Sequence, residues 1–334
     1  MKLDFNPKNN ITTKEYVRIA FEKTIGLLIK NITDLLLFKK FVKNWLTAVL
    51  FKLGFINEFK LVLKNGQSIR INKGDFISFW LYLPMLEAVL NNTYKIDNAK
   101  IDSINKVIKF KFKNNVVKFY YDTQKQLYNT TSMIKEQFIE EQYNWLNVKG
   151  KNVIDIGANI GDSAIYFALK GAKHVYAFEP YPYSYRIAMQ NIRLNKLQDK
   201  ITLQNEGCGK EKRKIKIDVS YKNFGGTNLK NFKNGTSINI TTLSELIKKF
   251  GIMDNAILKI DCEGCEYGVL LEAQNSDLKR FKQIQIEYHY GYLNLKRRLE
   301  EAGFKVSKML PKYSCNLEAE NKDMIIGFIY AKKS

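Results

Sequence analysis

The sequence predicts an α/β protein: a doubly wound, Rossmann-like sheet preceded by a smaller α+β domain. Three observations carry this. Residues Asn152 to Pro180, NVIDIGANIGDSAIYFALKGAKHVYAFEP, read as strand, glycine-bearing turn, helix and second strand. Apolar stretches at Ile201–Asn205, Ala256–Ile260 and Gln283–Tyr288 repeat the buried-strand signature downstream, with helical patterns between them. Upstream, alternating segments flank turn residues and read as antiparallel hairpins instead.

The turn after the first of these strands is the most informative segment. Val153, Ile154 and Ile156 suit a strand buried on both faces, while Gly157 and Gly161 let the chain turn sharply and pack the following helix. In such sheets ligands bind at the carboxyl ends of the strands. A dinucleotide-binding turn needs glycines at three set places so that backbone can approach a pyrophosphate. Here Asn159 and Asp162 occupy the second and third places, and Asp155 adds another carboxylate. That arrangement repels a pyrophosphate and favours a ligand carrying positive charge, such as the amino group and sulfonium of S-adenosylmethionine. Glu179 follows about 20 residues beyond the turn, the spacing at which an acid accepts both ribose hydroxyls. A generic strand-turn-helix with incidental acids would have no reason to match at so many positions.

On DIGANIGD at Asp155 to Asp162, AFEP at Ala177 to Pro180, NIRLN at Asn191 to Asn195, TTLSEL at Thr241 to Leu246 and LKIDCEGCE at Leu258 to Glu266, the chain resembles the FkbM-type methyltransferases. The resemblance covers about Ile134 to Tyr330. It implies a class I methyltransferase sheet, S-adenosylmethionine as cofactor and, for most of the family, methylation of hydroxyl oxygens. It also implies that Asp155 faces the methionine amino group, Glu179 the ribose and the Asn205 to Cys208 loop the adenine. The cofactor-binding candidates are therefore Asp155, Gly157, Asn159, Gly161, Asp162, Glu179, Pro180, Asn205 and Glu206. The chain departs from the family at Ser244, where an acid usually follows the leucine, and at the two cysteines of KIDCEGCE.

Asp261 falls at the carboxyl end of the strand Ala256–Ile260, on the same rim as Asp155 and Glu179. Methyl transfer is an in-line displacement, so an acceptor atom must be held ~3 Å from the methyl carbon while its proton is removed. A carboxylate at Asp261 can do both; its structural alternative is a cap on the next helix. Glu287 and His289 end the following strand and could meet Asp261 across the sheet edge. Two carboxylates and an imidazole can act as a base pair or hold Mg²⁺ against the acceptor oxygen. Glu263 can face the pocket, whereas Glu266 reads as an acid that favours the helix dipole. The catalytic candidates are Asp261, Glu263, Glu287 and His289; His174, beginning a strand on the opposite edge, reads as structural.

The amino-terminal half has a different texture. Helical periodicity runs from about Thr13 to Phe55, interrupted near Asn31 to Asp34. KLVLKNGQSIRI from Lys60 carries an Asn65-Gly66 hairpin signal, and KVIKFKFKNNVVKFYY from Lys106 pairs two runs around Asn114-Asn115. We therefore expect an α+β domain over residues 1–127 and a methyltransferase domain over 128–334. IKEQFIEEQYNWL from Ile134 reads as a helix leading into the cofactor strand and covering one side of the pocket, with Ile134, Phe138, Tyr143 and Leu146 near one face. Tyr183–Asn195 reads as a helix, and Lys214–Val219 with Ser237–Ile240 as an inserted strand pair. The Phe224 to Thr227 turn between those strands reads equally as a mobile rim or a plain loop.

Composition sets outer bounds. The chain of 334 residues carries 54 Lys and Arg against 33 Asp and Glu, a formal charge of +21. Such a balance suits nucleic acid, an anionic membrane face or a phosphorylated substrate. The basic residues are spread along the chain together with abundant Asn and Ile, as a biased genome composition would also produce. Four cysteines in this length make no disulfide framework, and Cys262 with Cys265 reads as a packing pair. A zinc site would need two further ligands, so no structural metal is expected. No leader pattern opens the chain, and a cytoplasmic protein is expected. The most apolar window, Phe76 to Leu90, is broken by Pro84 and Glu87 and is shorter than the ~20 residues of a spanning helix. It reads as core, leaving room for a peripheral membrane contact.

The sequence thus points to O-methylation of a hydroxyl on a glycan, a lipid-linked sugar or another small molecule. The alternatives are an RNA ribose 2'-O-methyltransferase, disfavoured because no aromatic-and-basic binding module is legible, and a non-catalytic cofactor-binding protein. Oligomeric state is not legible.

Overall fold

A computed structural model of the chain describes residues 10–20, 39–40, 42–52, 54–64, 66–72, 95–217, 219, 235–315 and 323–333. By its contacts the chain divides into two compact units, Thr24–Gln142 and a larger one of Met1–Lys23 with Tyr143–Ser334. The expected boundary after residue 127 falls inside the helix Gln124–Ile134.

In the smaller unit, β1 (Glu58–Val62) and β2 (Ser68–Asn72) form the first expected hairpin, antiparallel from Glu58↔Asn72 to Val62↔Ser68. A second antiparallel sheet joins β3 (Ile96–Asp102), β4 (Val107–Phe112) and β5 (Asn115–Tyr120). Its tight turn is Lys113-Asn114, one residue earlier than expected, with Lys113 at φ 52 and Phe112 paired to Asn115. The segment from Ile134 differs more. Its helix starts at Gln124, where Thr123 caps Gln126 N at 3.1 Å, and ends in a π turn over Lys135–Ile139. Phe138 makes edge contacts with Phe110 and Phe112 at 5.1 Å and with Phe119 at 5.8 Å. This helix therefore packs on its own unit's sheet, where those aromatics supply its apolar partner. The helices over 13–20 and Trp45–Lys52 lie within the expected amino-terminal periodicity. Its interruption near Asn31, the Phe76 to Leu90 window and the Phe224 to Thr227 turn lie outside the described residues.

The larger unit is built on one sheet whose strands are β6 (Asn152–Ile156), β7 (His174–Phe178), β8 (Ile201–Gln204), β12 (Ala256–Ile260), β13 (Phe281–Tyr288), β14 (Phe304–Lys308) and β16 (Asp323–Lys333). Its order is β14-β16-β13-β12-β6-β7-β8, with β15 (Lys312–Cys315) pairing β16. Strands β13, β12, β6, β7 and β8 are parallel, while β16 runs antiparallel between β13 and β14. The five residues of β12 are all buried, as a parallel strand covered on both faces requires. Ile154, Ile156, Phe178, Leu258, Ile260, Ile284 and Ile286 share one core.

Between β8 and β12 the chain builds a small sheet in the order β10-β11-β9, from β9 (Glu206–Cys208), β10 (Arg213–Ile217) and β11 (Thr236–Thr241). The expected strand pair is present as β10 and β11, closed over Tyr181, Ile215, Ile217, Ile238 and Ile240. Having laid β7 and β8 on one side of β6, the chain crosses to place β12 on the other. The carboxyl ends of β6 and β12 therefore form the switch point at which open α/β sheets bind ligands.

Candidate functional site

The turn after β6 is shaped by what approaches it. Gly157 has φ +82, and its N–H and that of Ala158 both donate to Phe178 O at 3.0 Å, tying the turn to the end of β7. Gly161 has the same φ, and a Cβ there would meet Ala188 Cβ at 3.3 Å on the helix Pro182–Leu194. Asn159 adopts φ 46 and donates its backbone N–H to Glu179 Oε2 at 2.9 Å. Glu179 Oε1 accepts from Tyr181 N at 2.8 Å. Burial pushes the Glu179 carboxyl up to about 7, partly offset by these two amides and by Lys259.

Asn205 reaches the same corner: its Nδ2 donates to Glu179 O at 2.9 Å and Pro180 O at 3.1 Å. The segment after it departs from expectation. Residues 206–208 are strand β9 rather than an open loop, because β11 offers Asn239, Ile240 and Thr241 as pairing partners. Glu206 stands 3.2 Å from Lys249 Nζ.

Asp155 and Lys259 lie side by side on adjacent strands, both almost fully removed from solvent. Lys259 Nζ is 3.0 Å from Asp155 Oδ1 and donates to Gly157 O at 2.7 Å; Asp155 Oδ2 accepts from Ser163 Oγ at 2.6 Å. Burial alone would lower the lysine pKa, yet Asp155 and Asp261 outweigh it and hold it above the ordinary value. The carboxylate expected to add free negative charge to the turn is thus paired. Asp162 is buried in the first turn of the helix Asp162–Leu169.

Asp261 follows β12 and is the partly exposed member of a charged cluster. Tyr143 OH donates to Asp261 Oδ2 at 3.0 Å, and Lys259 Nζ lies 4.0 Å from the same oxygen. Burial, then Asp261 and Glu287, raise the Tyr143 hydroxyl well above its ordinary value, so it stays a neutral donor. His289 Nε2 is 3.4 Å from Glu263 Oε2 and 3.9 Å from Asp261 Oδ1. Its other nitrogen, Nδ1, is 2.9 Å from Glu266 Oε1. Burial opposes protonation of this ring, but Glu263, Glu266 and Glu287 prevail and raise its pKa well above the imidazole value. The candidates Asp261, Glu263 and His289 are therefore brought together, and Glu287, half-buried near the end of β13, adds its charge to Tyr143 and His289. His174 is elsewhere, with Nε2 2.8 Å from Thr202 Oγ1.

Two readings of the KIDCEGCE motif are corrected. Glu266 is not a solvated helix-dipole acid: its side chain is fully buried and bonded to His289 and to Gly264 N. Cys262 and Cys265 are not a packing pair of thiols but a disulfide, their Cα atoms 5.4 Å apart across Glu263 and Gly264. Among the described residues no group of three or more His, Cys, Asp and Glu side chains is arranged to hold a metal ion, so the geometry lends Mg²⁺ no support. Nor is any helix among them long and apolar enough to cross a membrane. Sequence reasoning missed Tyr143, Lys259 and Ser163 as site residues. Lys259 had left a signal: a lysine inside an otherwise apolar strand, two residues before Asp261.

A parallel sheet whose strand order switches sides between β6 and β12, with acids at the carboxyl ends of β7 and β12, defines a Rossmann-like fold. Residues 155–306 match the model of the methyltransferase FkbM domain. A ribosomal protein L11 methyltransferase from Carboxydothermus hydrogenoformans is 44% identical over 54 residues, 16% of this chain and 18% of that protein. The chain thus spans less than a fifth of this curated relative. Among solved structures, methyltransferase FkbM from Methylobacillus flagellatus KT is 14% identical, with 64% of this chain and 56% of that one covered and a TM-score of 0.37. TYW2 of M. jannaschii in complex with AdoMet is 14% identical, with 69% and 88% covered and a TM-score of 0.35.

Proposed function

We propose that the chain transfers a methyl group from S-adenosylmethionine to a hydroxyl oxygen of a glycan, a lipid-linked sugar or another small molecule. One observation carries the reading: a partly exposed carboxylate, Asp261, stands at the switch point of the sheet with Tyr143 on one oxygen and His289 facing the other.

The residues present fit the cofactor. The Asp155 to Asp162 turn would receive the methionine end, Glu179 and Pro180 the ribose, and Asn205 with Glu206 the adenine side. Each Glu179 oxygen accepts one backbone N–H, and a carboxylate oxygen has a further acceptor site for a ribose hydroxyl. Lys259 neutralises one acid, yet Asp162, Asp261, Glu263 and Glu287 leave an excess of negative charge, which suits a cationic ligand. When bound, S-adenosylmethionine supplies a methyl carbon activated by a sulfonium.

Asp261 would accept the proton of the acceptor hydroxyl as that oxygen becomes the nucleophile. Tyr143 and Lys259 hold this carboxylate in place until then. Glu263, Glu266 and Glu287 favour the protonated form of His289, which suits a ring that holds Glu263 and Asp261 together more than it suits a base. The same local acidity disfavours a phosphodiester acceptor, which is why small hydroxyl compounds rank above RNA despite the charge of +21.

The test is release of S-adenosylhomocysteine with a panel of sugars, lipid-linked sugars and RNA, for the natural chain and for Asp261→Asn and Glu287→Gln. Asp261→Asn should retain cofactor binding and lose turnover. Loss of binding would move Asp261 into the cofactor shell, and strong uptake of NAD or ATP with none of the sulfonium compound would overturn the reading.

A further inference from the structure

We infer that Glu266 is a positioning residue whose buried carboxylate locks His289 with Nδ1 turned inward and Nε2 turned toward Asp261 and Glu263. The inference rests on the proposed function for its consequence, but the lock itself is a matter of geometry.

Glu266 lies in the first turn of the helix Cys265–Leu271 with its side chain fully buried. Withdrawing a carboxylate from water is costly unless hydrogen bonds replace the lost solvation. Here they do. Oε2 accepts from Gly264 N at 2.8 Å, while Oε1 accepts both from His289 N at 3.0 Å and from the ring at Nδ1, 2.9 Å away. A carboxylate serving only the helix dipole would need none of the contacts to residue 289. Two bonds from one oxygen to the backbone and the ring of the same residue leave the imidazole one orientation. Its free edge then faces Glu263 Oε2 at 3.4 Å and Asp261 Oδ1 at 3.9 Å.

The pattern is that of a nucleophile's or base's partner imidazole held by a third, buried acid, which sets which ring nitrogen carries the fixed proton. Here the fixed proton is on Nδ1, and the Nε2 proton is the one shared with the groups that face the acceptor. Among the described residues, the charged groups that face the ring are Asp261, Glu263, Glu266 and Glu287. Of these, Glu266 alone bonds Nδ1.

Because the chain holds only two histidines, ¹⁵N-histidine NMR of the full chain reads His289 directly, with a His174→Gln variant assigning the other signal. The ring of the natural chain should carry its fixed proton on Nδ1 at every pH at which the chain is folded. Glu266→Gln keeps an acceptor but loses the charge, and should shift the His289 titration to lower pH while S-adenosylhomocysteine binding, measured by calorimetry, is unchanged. Glu266→Asp should restore part of that shift. If Glu266→Gln does not fold, the natural chain still decides: a ring protonated only on Nε2, or one that flips, overturns the inference. A folded Glu266→Gln variant whose His289 titration coincides with that of the natural chain overturns it as well. No arm depends on finding an acceptor, so this inference can fail while the O-methyltransferase reading stands, and the reverse.

Discussion

A Cβ on residue 157 would lie 1.7 Å from the backbone oxygen of Asp261. The two strand ends approach so closely, with Asp261 N also donating to Ile156 O at 3.0 Å, that only glycine fits between them. The same contact that shapes the turn after β6 therefore sets the position of the candidate base. Gly157→Ala should cost more than about 3 kcal/mol in urea unfolding, combining overlap with backbone with a disfavoured φ. Gly303→Ala provides the control. It has φ +89 with nothing within 4 Å, so left-handed strain alone should cost about 1 kcal/mol. Equal losses in the two variants would show that the β6 and β12 ends do not need this approach.

Lys259 and Asp155 form a buried pair at 3.0 Å. Removing one partner of such a pair leaves an uncompensated charge, worth about 3–5 kcal/mol. Lys259→Met should therefore lower the melting temperature by roughly 2–4 °C for each kcal/mol lost. The double variant Lys259→Met with Asp155→Asn should recover part of that stability, since neither charge is then stranded. A single variant as stable as the natural chain would mean that water reaches Asp155 when the lysine is absent.

How much of this could be read from the sequence depends on whether an interaction was local. The strand Ala256–Ile260 was legible to the residue, because four apolar positions around a single lysine have no other home in an α/β protein. The Asn65-Gly66 hairpin was legible because its turn chemistry is contained in two residues. The helix beginning at Gln124 was not, since its apolar face is defined by Phe110, Phe112 and Phe119 on strands that precede it. At the site, Asp261, Glu263 and His289 could be brought to one rim by strand order alone. Tyr143, 118 residues from Asp261, could not, and Glu266 was misread because its partner lies 23 residues away.

The disulfide can be checked without any activity. Digestion of non-reduced, alkylated protein should give a peptide spanning Cys262 and Cys265 that is lighter by two hydrogens than its thiol form and carries no alkyl group. After reduction both cysteines should alkylate, for neither is fully buried. Complete alkylation before reduction would mean that the pair is a dithiol under the conditions of purification.

On the proposed ribose role, Glu179 would link cofactor binding to pH. Burial holds its carboxyl protonated up to about 7, against an ordinary 4.5. Between those values the folded chain binds a proton that the unfolded chain does not. The contribution of this group to stability therefore falls as pH rises through that window and is constant above it. Ribose hydroxyls donating to Glu179 would favour the ionised form, so binding below about pH 7 must expel the proton. Affinity for S-adenosylhomocysteine should then rise with pH by up to about tenfold per unit and level off near neutrality. Calorimetry in buffers of different ionisation enthalpy should register the released proton. Glu179→Gln should bind more weakly and show no such slope, whereas an affinity that falls with rising pH would remove Glu179 from the ribose site.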